Sequence, residues 1–147
     1  MLTICQATLA QLEDAAQLFD QYRQFYQQPA ALEVSRAFIQ ERIDNNQSVI
    51  YLAYQQHEAV GFLQLYPTFS SISARSSWIL NDLYVTPSAR GLGIAKQLMD
   101  RARQLAVDTK AEGLTLQTQI TNSTAQALYE SLHYQRDNEF YTYCLVI

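Results

Sequence analysis

The sequence predicts a single-domain α/β fold in which a central mixed sheet, mostly antiparallel, is flanked by helices. Two observations lead to this class. Segments with helical spacing of apolar residues alternate with short strand-like runs along the chain, which is typical of α/β architecture. One helix-like segment stands between two strand-like runs, which predicts parallel strands joined by a right-handed crossover. A length of 147 residues without repeats or linkers fits one domain, 1–147.

The N-terminal third predicts a strand followed by two helices. The run LTICQA alternates and is expected to form the first strand. Thr8 and Gln11 have the spacing of a capping box that opens a helix, and Pro29 separates this helix from the next. The two helices together carry five aromatic residues, which are candidates to line an acceptor pocket, although core packing explains most of them: Phe19, Tyr22, Phe25, Tyr26 and Phe38.

The middle of the chain predicts three consecutive antiparallel strands. SVIYLAY and AVGFLQLYP are strand-like, and the polar QQHE between them predicts a hairpin turn. The polar connection TFSSISARSS leads to a third long strand, WILNDLYV. Downstream we expect a helix after Gly91, a strand over LTLQTQ after Gly113, a helix capped by Asn122, and a final strand over EFYTYCLVI.

Composition excludes several classes of function. Apolar residues make up 48% and charged residues 16%, as in folded soluble proteins, and no run approaches the roughly 20 apolar residues of a membrane span. The start of the chain does not resemble a signal peptide, so we expect no membrane partner and a cytoplasmic location. The net charge of −4, without a basic cluster, argues against nucleic acid as a partner.

Cysteine and histidine usage predicts neither a disulfide nor a metal site. Cys5 and Cys144 lie in strand-like apolar runs and are expected to be two small buried thiols. His57 and His133 are far apart and match no metal-ligand spacing, so no metal cofactor is expected.

The stretch NDLYVTPSARGLGIAKQLMD, residues 81–100, passes from a strand through a basic glycine-bearing turn into a helix. A helix start offers unpaired N–H groups and partial positive charge, and Gly91 and Gly93 allow close backbone approach. Arg90 adds a cation where a helix start disfavours one, which favours a bound anion, with a plain strand-to-helix connection as the alternative. Lys96 is not followed by Ser or Thr as in a phosphate loop, and it stands where a dinucleotide motif has its third glycine.

This turn resembles the GCN5-related N-acetyltransferases (GNAT). Arg90, Gly93 and Ala95 match the family signature R/Q-x-x-G-x-G/A, and LYVTPSA (83–89) matches the strand and Pro-containing turn that lead into it. The resemblance covers roughly residue 50 to the C-terminus and implies a GNAT-like fold. Within the family, WILNDLYV together with FYTYCL is nearest to the branch that acetylates small amines, including diamine acetyltransferases.

A second family motif follows in the right order. The segment NSTAQALYESLHY (122–134) is similar to N-x-x-A-x-x-L-Y-x-x-x-G-F. The departure comes at its end, where His133 and Tyr134 replace Gly and Phe. The matching positions are Asn122, Ala125, Leu128 and Tyr129.

The resemblance implies that acetyl-coenzyme A is the co-substrate and that an amine attacks its thioester directly. The N–H groups of the turn would bind the pyrophosphate, and the strand before it would pair with the pantetheine arm, with an N–H near Leu83 as oxyanion donor. Asn122 would contact the arm, although capping alone explains an Asn there. The implied cofactor-binding residues are Leu83, Tyr84, Val85, Arg90, Gly91, Leu92, Gly93, Ile94, Ala95, Lys96 and Asn122.

Two residues are predicted to be catalytic. Tyr129 occupies the motif position from which a hydroxyl can protonate the leaving thiolate, although its helix stripe also fits core packing. Asp82 is the candidate base for the acceptor amine, because it lies on the strand that leads into the site. Asn81 stands where diamine acetyltransferases carry Glu, and Asn cannot be a base. A substrate-binding or purely structural Asp82 remains an alternative. Regular alternation places Asp82 on the same sheet face as Leu80 and Tyr84.

The expected function is transfer of the acetyl group of acetyl-coenzyme A to a primary amine of a small molecule, and the resemblance implies a homodimer. Two alternatives remain: acetylation of a peptide or protein amine, and a non-catalytic domain that senses acyl-coenzyme A.

Overall fold

A computed structural model describes all residues, 1–147, and confirms the α/β class. Strand β1 precedes two helices, α1 and α2, which are followed by the strands β2, β3 and β4, then helix α3, the short strand β5 and helix α4. Their bounds are β1 Leu2–Gln6, α1 Leu12–Phe25, α2 Leu32–Asp44, β2 Val49–Gln55, β3 Glu58–Ser70, β4 Arg75–Val85, α3 Ile94–Asp108, β5 Leu114–Thr115 and α4 Ser123–Ser131.

The sheet is mixed and mostly antiparallel, as predicted. Its strand order is β1-β2-β3-β4-β5, with antiparallel pairing along the first four strands and parallel pairing between β4 and β5. The predicted β2–β3 hairpin turns through two residues, Gln56 and His57, whose φ angles are 50° and 68°. Two positive φ angles match the twist of a tight hairpin, so His57 is a turn residue.

Strand β3 is longer than the sequence indicated. It runs through Pro67 to Ser70 and pairs with β4 along a long hairpin. Its pairing with β2 ends at the Val49–Leu65 pair, so Pro67 lies where β3 has a neighbour on one side only. Proline is tolerated there because its missing N–H interrupts no central ladder.

The two faces of the sheet are covered by different helices. On one face, α1 and α2 enclose a buried cluster that includes Phe19, Ile39 and Phe62. On the other face α3 approaches so closely that a Cβ on Gly61 would meet Leu98 Cδ1 at 3.0 Å. Gly61 and Phe62 are adjacent in β3 and therefore point to opposite faces, which places α3 opposite α1 and α2.

The N-terminal helices begin and join as the sequence predicts. The capping box is formed, with Thr8 N donating to Gln11 Oε1 at 2.9 Å, and it starts a short 3-10 turn that leads into α1. The buried carboxylate of Asp20 in α1 accepts hydrogen bonds from Ala31 N at 3.1 Å and Ser35 Oγ at 2.7 Å. Asp20 thereby holds the first turn of α2 against α1.

The chain divides into two compact units, residues 1–116 and 117–147. In the second unit α4 is the regular element, and its predicted N-cap is confirmed. The final strand expected over 139–147 is wrong, because this segment has no strand partner, and the strand expected over LTLQTQ is reduced to Leu114–Thr115. Cys5 is half-buried and Cys144 is exposed, so the expectation of a buried thiol is wrong for Cys144. No helix combines the length and apolar character that a bilayer-spanning segment requires.

Candidate active site

A β-bulge interrupts β4 at the predicted site. Gln64 pairs with Asp82, and the next β3 residue, Leu65, pairs with Leu80, so Asn81 has no partner of its own. Because Gln64 and Leu65 point to opposite faces, Leu80 and Asp82 also do. The predicted common face for Leu80 and Asp82 is therefore wrong: the bulge sends Asp82 to the α1/α2 face while Leu80 stays on the α3 face.

Asp82 is held in a buried set of hydrogen bonds. It is 1% exposed. Asn81 Nδ2 donates to its Oδ1 at 2.7 Å, and Gln64 Nε2 donates to its Oδ2 at 2.5 Å. Burial raises the pKa of the Asp82 carboxyl, while the hydrogen bonds from Asn81, Gln64 and Tyr22 act in the opposite direction. Asp82 is thus a carboxylate whose proton affinity is increased, as a base for an ammonium group needs.

Gln64 is a site residue that the sequence analysis missed. It is fully buried in β3, and its Oε1 accepts a hydrogen bond of 2.8 Å from Ser48 Oγ. Both ends of the Gln64 amide are therefore engaged, which fixes the orientation of the Nε2 that donates to Asp82. The available signal was one polar residue inside the apolar run GFLQLY.

Two tyrosines face Asp82 from different elements. Tyr22 of α1 donates from its hydroxyl to the main-chain O of Asn81 at 3.3 Å. Burial, followed by the negative charge of Asp82, raises the pKa of Tyr22. Burial, followed by the negative charge of Asp82, also raises the pKa of Tyr66 in β3, to about 12. Both phenols are therefore protonated at neutral pH.

The C-terminal end of α1 presents aromatic rings beside Tyr22. Phe25 is 48% exposed and Tyr26 is 38% exposed, and their ring centroids lie 5.2 Å apart. The Tyr22 and Tyr26 rings meet edge-on at 5.1 Å. Phe19 and Phe38 instead stack in the core at 5.3 Å, as the alternative interpretation expected for most of these residues. Exposed rings, a helix C-terminus and a nearby carboxylate all favour a cation.

The glycine turn before α3 has the geometry of an anion site. Gly91 and Gly93 have φ angles of 80° and 77°, in the left-handed region that glycine favours. A Cβ on either residue would meet no atom within 4 Å, so the space above the turn is open. Helix α3 begins with no side-chain cap, and its first bonded amide is that of Gln97, which donates to Gly93 O at 3.2 Å. The preceding N–H groups are the type that binds phosphate.

The two cationic side chains of the turn are both engaged. Arg90 Nε donates to Val85 O at 2.9 Å, and its guanidinium lies 5.9 Å from the Phe25 ring centroid and 5.6 Å from that of Tyr84. Arg90 thereby ties the turn to the end of β4 and to the aromatic end of α1. Lys96 forms an exposed ion pair with Asp100 at 3.1 Å.

Strand β4 has a free edge at the site. Strand β5 pairs only with Trp78 and Ile79. From Leu80 to Val85, β4 is paired with β3 on one side and with no strand on the other. This stretch contains Leu83, Tyr84 and Val85 and leads directly to the turn. An extended chain of amide groups can add to such an edge as a strand does.

The two predicted residues of the second motif lie in the other unit. Asn122 caps α4 by accepting from Ala125 N at 3.1 Å. Tyr129 is half-buried on α4, with its ring centroid 6.1 Å from that of Tyr134. His133, which replaces the motif glycine, has a φ of 71°, and Tyr134 N donates to Tyr129 O at 3.0 Å. This is the helix-ending geometry that glycine usually provides, so His133 forms the same turn although it replaces the motif glycine.

A cleft of about 560 Å³ lies elsewhere, beside the β2–β3 turn, and contains none of the predicted site residues. Tyr54 in its wall donates from its hydroxyl to Asp14 Oδ2 at 2.6 Å, which is a contact within the fold. The cleft is lined by Met1, Thr3, Tyr54, Gln56 and His57.

Comparison with known proteins agrees with this geometry. The model described as acetyltransferase (GNAT) family matches residues 12–134. The uncharacterized N-acetyltransferase YhfO of Bacillus subtilis (strain 168) is 44% identical over 144 residues, which cover 98% of this chain and 97% of that protein. A crystal structure of a probable acetyltransferase is 44% identical in sequence with a TM-score of 0.93. The match covers 99% of this chain and 97% of the chain in that structure.

A more distant structure shares the fold. An aminoglycoside N-acetyltransferase in complex with CoA is 19% identical with a TM-score of 0.82, covering 99% of this chain and 95% of its own. The family match, the YhfO relative and the fold together decide the class. The chain belongs to the GNAT acetyltransferase family and is an acetyl-CoA-dependent acyltransferase.

Proposed function

We propose that this enzyme transfers the acetyl group of acetyl-coenzyme A to a primary amine of a small molecule that is cationic at neutral pH. The observation that carries the proposal is the position of Asp82. Its buried carboxylate lies beside the bulge of β4, on the strand whose free edge leads to the glycine turn, and Tyr22 of α1 hydrogen-bonds to the main-chain O of the adjacent Asn81. A cation-binding surface and an anion-binding turn therefore adjoin one strand.

Two features support binding of acetyl-coenzyme A: the glycine turn before α3 and the free edge of β4. The N–H groups of residues 91–96 bind the pyrophosphate, because α3 lacks a cap and the space above Gly91 and Gly93 is open. The edge from Leu80 to Val85 binds the pantetheine arm by main-chain hydrogen bonds, with Leu83 N–H toward the acyl oxygen. Acetyl-coenzyme A supplies an acyl thioester that an amine nitrogen can attack. Two distant structures are complexes with CoA and with acetyl-CoA.

The charges around Asp82 support a primary amine as the acceptor. A primary amine with a pKa of about 10.4 is almost entirely protonated at pH 7 and must lose a proton before it attacks. The exposed ring of Tyr26 and the C-terminal end of α1 attract the ammonium form, whereas the Phe25 ring already lies 5.9 Å from the Arg90 guanidinium. Asp82 takes up the proton, because burial raises its pKa. The net charge of −4 also favours a cationic acceptor.

Residues 117–147 complete the proposal. The hydroxyl of Tyr129 protonates the departing thiolate, since a phenol of pKa about 10 can donate to a thiolate of pKa about 8.5 at modest cost. Asn122 binds the pantetheine arm as well as capping α4. A single domain over 1–147, a cytoplasmic location and a homodimer stay predictions.

A screen of acceptors tests the proposal. Purified enzyme is incubated with acetyl-coenzyme A and, in turn, polyamines, amino acids, aminoglycosides and peptides, while free thiol release and the mass of the acceptor are followed. We expect thiol release with at least one small primary amine, together with an acceptor mass that increases by one acetyl group. Turnover with peptides alone indicates the protein-amine alternative. Tight cofactor binding without turnover on any amine indicates a sensor, and either result contradicts the proposal.

A further inference from the structure

The burial of Asp82 has a consequence for how a proton reaches it. With 1% of its surface exposed, its carboxylate has no face open to an acceptor amine. Oxygen Oδ1 is covered by the Asn81 amide at 2.7 Å, and Oδ2 is covered by the Gln64 amide at 2.5 Å. Neutral side-chain amides do not take up and release protons at these pH values. Another group must therefore connect Asp82 with the acceptor.

Tyr22 is the neighbour of Asp82 with the required chemistry. Its hydroxyl donates to the main-chain O of Asn81 at 3.3 Å, next to Asp82, and rotation about its C–O bond turns the same O–H toward the Asp82 carboxylate. A hydroxyl has one proton to donate and lone pairs that accept another. Tyr22 is only half-buried, and its ring contacts the exposed Tyr26 at 5.1 Å, on the surface proposed above for the ammonium group.

We propose that Tyr22, rather than Asp82, contacts the acceptor amine and relays its proton to Asp82. This inference rests on the proposed small-amine function. The N–H bond of the ammonium group breaks, its proton binds to Tyr22 Oη, and the electron pair stays on nitrogen for attack. In the same event the phenolic proton of Tyr22 moves to a carboxylate oxygen of Asp82. The phenol is regenerated, Asp82 becomes the neutral acid, and the proton later returns to solvent by the reverse route.

The surroundings require the two transfers to be concerted. Burial and the charge of Asp82 raise the pKa of Tyr22, so a free tyrosinate does not accumulate. The other titratable groups that face this region are Tyr26, which follows the last residue of α1, Tyr66 on β3 and Arg42 on α2, whose charge acts on Tyr66. Arg42 lies 4.3 Å from the Phe38 ring centroid and pairs with Glu41 at 2.9 Å, so its charge is already partly compensated.

The test compares Tyr22→Phe with Tyr54→Phe. Tyr54 is a matched control, because its hydroxyl also donates to a carboxylate, Asp14 Oδ2 at 2.6 Å, but away from the site. We measure kcat/KM for the best amine between pH 6 and 10 and acetyl-coenzyme A affinity by calorimetry. Tyr22→Phe should lose at least about tenfold at pH 7 and recover as the pH approaches the pKa of the amine, about 10.4. Its cofactor affinity should stay within about twofold, and Tyr54→Phe should follow the wild-type profile.

Several outcomes overturn the relay. An unchanged Tyr22→Phe profile excludes it, and a loss of equal size at every pH indicates a purely structural role. Should Tyr22→Phe fail to fold, a proton inventory of the wild type in H2O–D2O mixtures decides: a curved plot supports two protons in transfer, and a straight line contradicts the relay. Failure of the underlying function is distinguishable, because in that case the wild type itself turns over no small amine.

Discussion

The side-chain amide of Gln64 donates a hydrogen bond of 2.5 Å to the carboxylate of Asp82, across the pair that β3 and β4 form beside the bulge. This bond stabilises the charged form of Asp82 against the effect of burial. The same Gln64 is oriented by Ser48 at 2.8 Å. The proton affinity of the proposed base is therefore tuned by a buried residue of the neighbouring strand, β3.

Replacing Gln64 should shift the pH dependence of catalysis. Gln64→Leu removes a donor that lowers the pKa of Asp82, so that pKa should rise further, and the acid limb of the kcat/KM profile should move to higher pH. Ser48→Ala, which removes only the outer hydrogen bond, should shift the limb less. If the acid limb of a folded Gln64→Leu enzyme stays at the wild-type pH, Gln64 does not set the pKa that controls catalysis.

Asp82 should also make stability depend on pH. Its pKa in the folded state is raised above the reference value of 3.8, so the folded state binds the proton more tightly than the unfolded state. Stability is therefore greatest below pH 3.8 for this group and falls as pH rises to the folded-state pKa. Each unit of difference amounts to about 1.4 kcal/mol.

The Asp82→Asn variant tests this linkage. Asn offers one acceptor oxygen instead of two, so we expect a change in stability that is the same at every pH. Because Asn does not ionise, the pH-dependent contribution of the Asp82 carboxyl is absent from the variant. The free energy of unfolding of Asp82→Asn minus that of the wild type should therefore increase as the pH rises from 4 to 8. Denaturant titration at several pH values measures this difference. Parallel stability curves over this range would show that Asp82 has the same pKa in both states.

Gly93 should be required for cofactor binding. In Gly93→Val a β-branched residue takes a φ of 77°, which costs about 1–3 kcal/mol of stability, and its side chain fills the open space above the turn. Acetyl-coenzyme A affinity should fall sharply, as measured by calorimetry. Gly113→Ala is the control, because its Cβ also meets no atom within 4 Å but needs no left-handed backbone. A folded Gly93→Val enzyme with wild-type affinity places the cofactor elsewhere.

Tyr129 should act in the chemical step. Tyr129→Phe keeps the ring that packs 6.1 Å from Tyr134 and removes only the hydroxyl. Loss of a general acid should lower kcat by at least about tenfold, with KM for acetyl-coenzyme A little changed. The measurement needs conditions in which chemistry limits the rate. A variant with wild-type kcat and altered thermal stability would make Tyr129 a packing residue.

Local patterns predicted most of the elements correctly. The capping box at Thr8, the N-cap at Asn122 and the two-residue turn at Gln56 each involve residues within a few positions of one another, and such signals are readable in the sequence. The turn with Gly91 and Gly93 was found in the same way. These features depend on the backbone preferences of single residues, which do not need the rest of the fold.

Long-range pairing explains what the sequence did not predict. The bulge at Asn81 exists only in the register between β3 and β4, so strict alternation assigned Asp82 and Leu80 to one face. Gln64 became a partner of Asp82 through the same register. The alternating segment 139–147 was compatible with a strand, but a strand also needs a neighbour, which alternation does not specify.

The most direct test of the account compares kcat/KM against pH for the wild type and Asp82→Asn with the best small amine. The wild type should reach its plateau well below the amine pKa of about 10.4, because Asp82 accepts the proton of bound ammonium. Asp82→Asn should be at least about tenfold slower at pH 7 and should rise about tenfold per pH unit toward the pKa of the amine. Superimposable profiles of the two enzymes would contradict the central role given to the buried carboxylate.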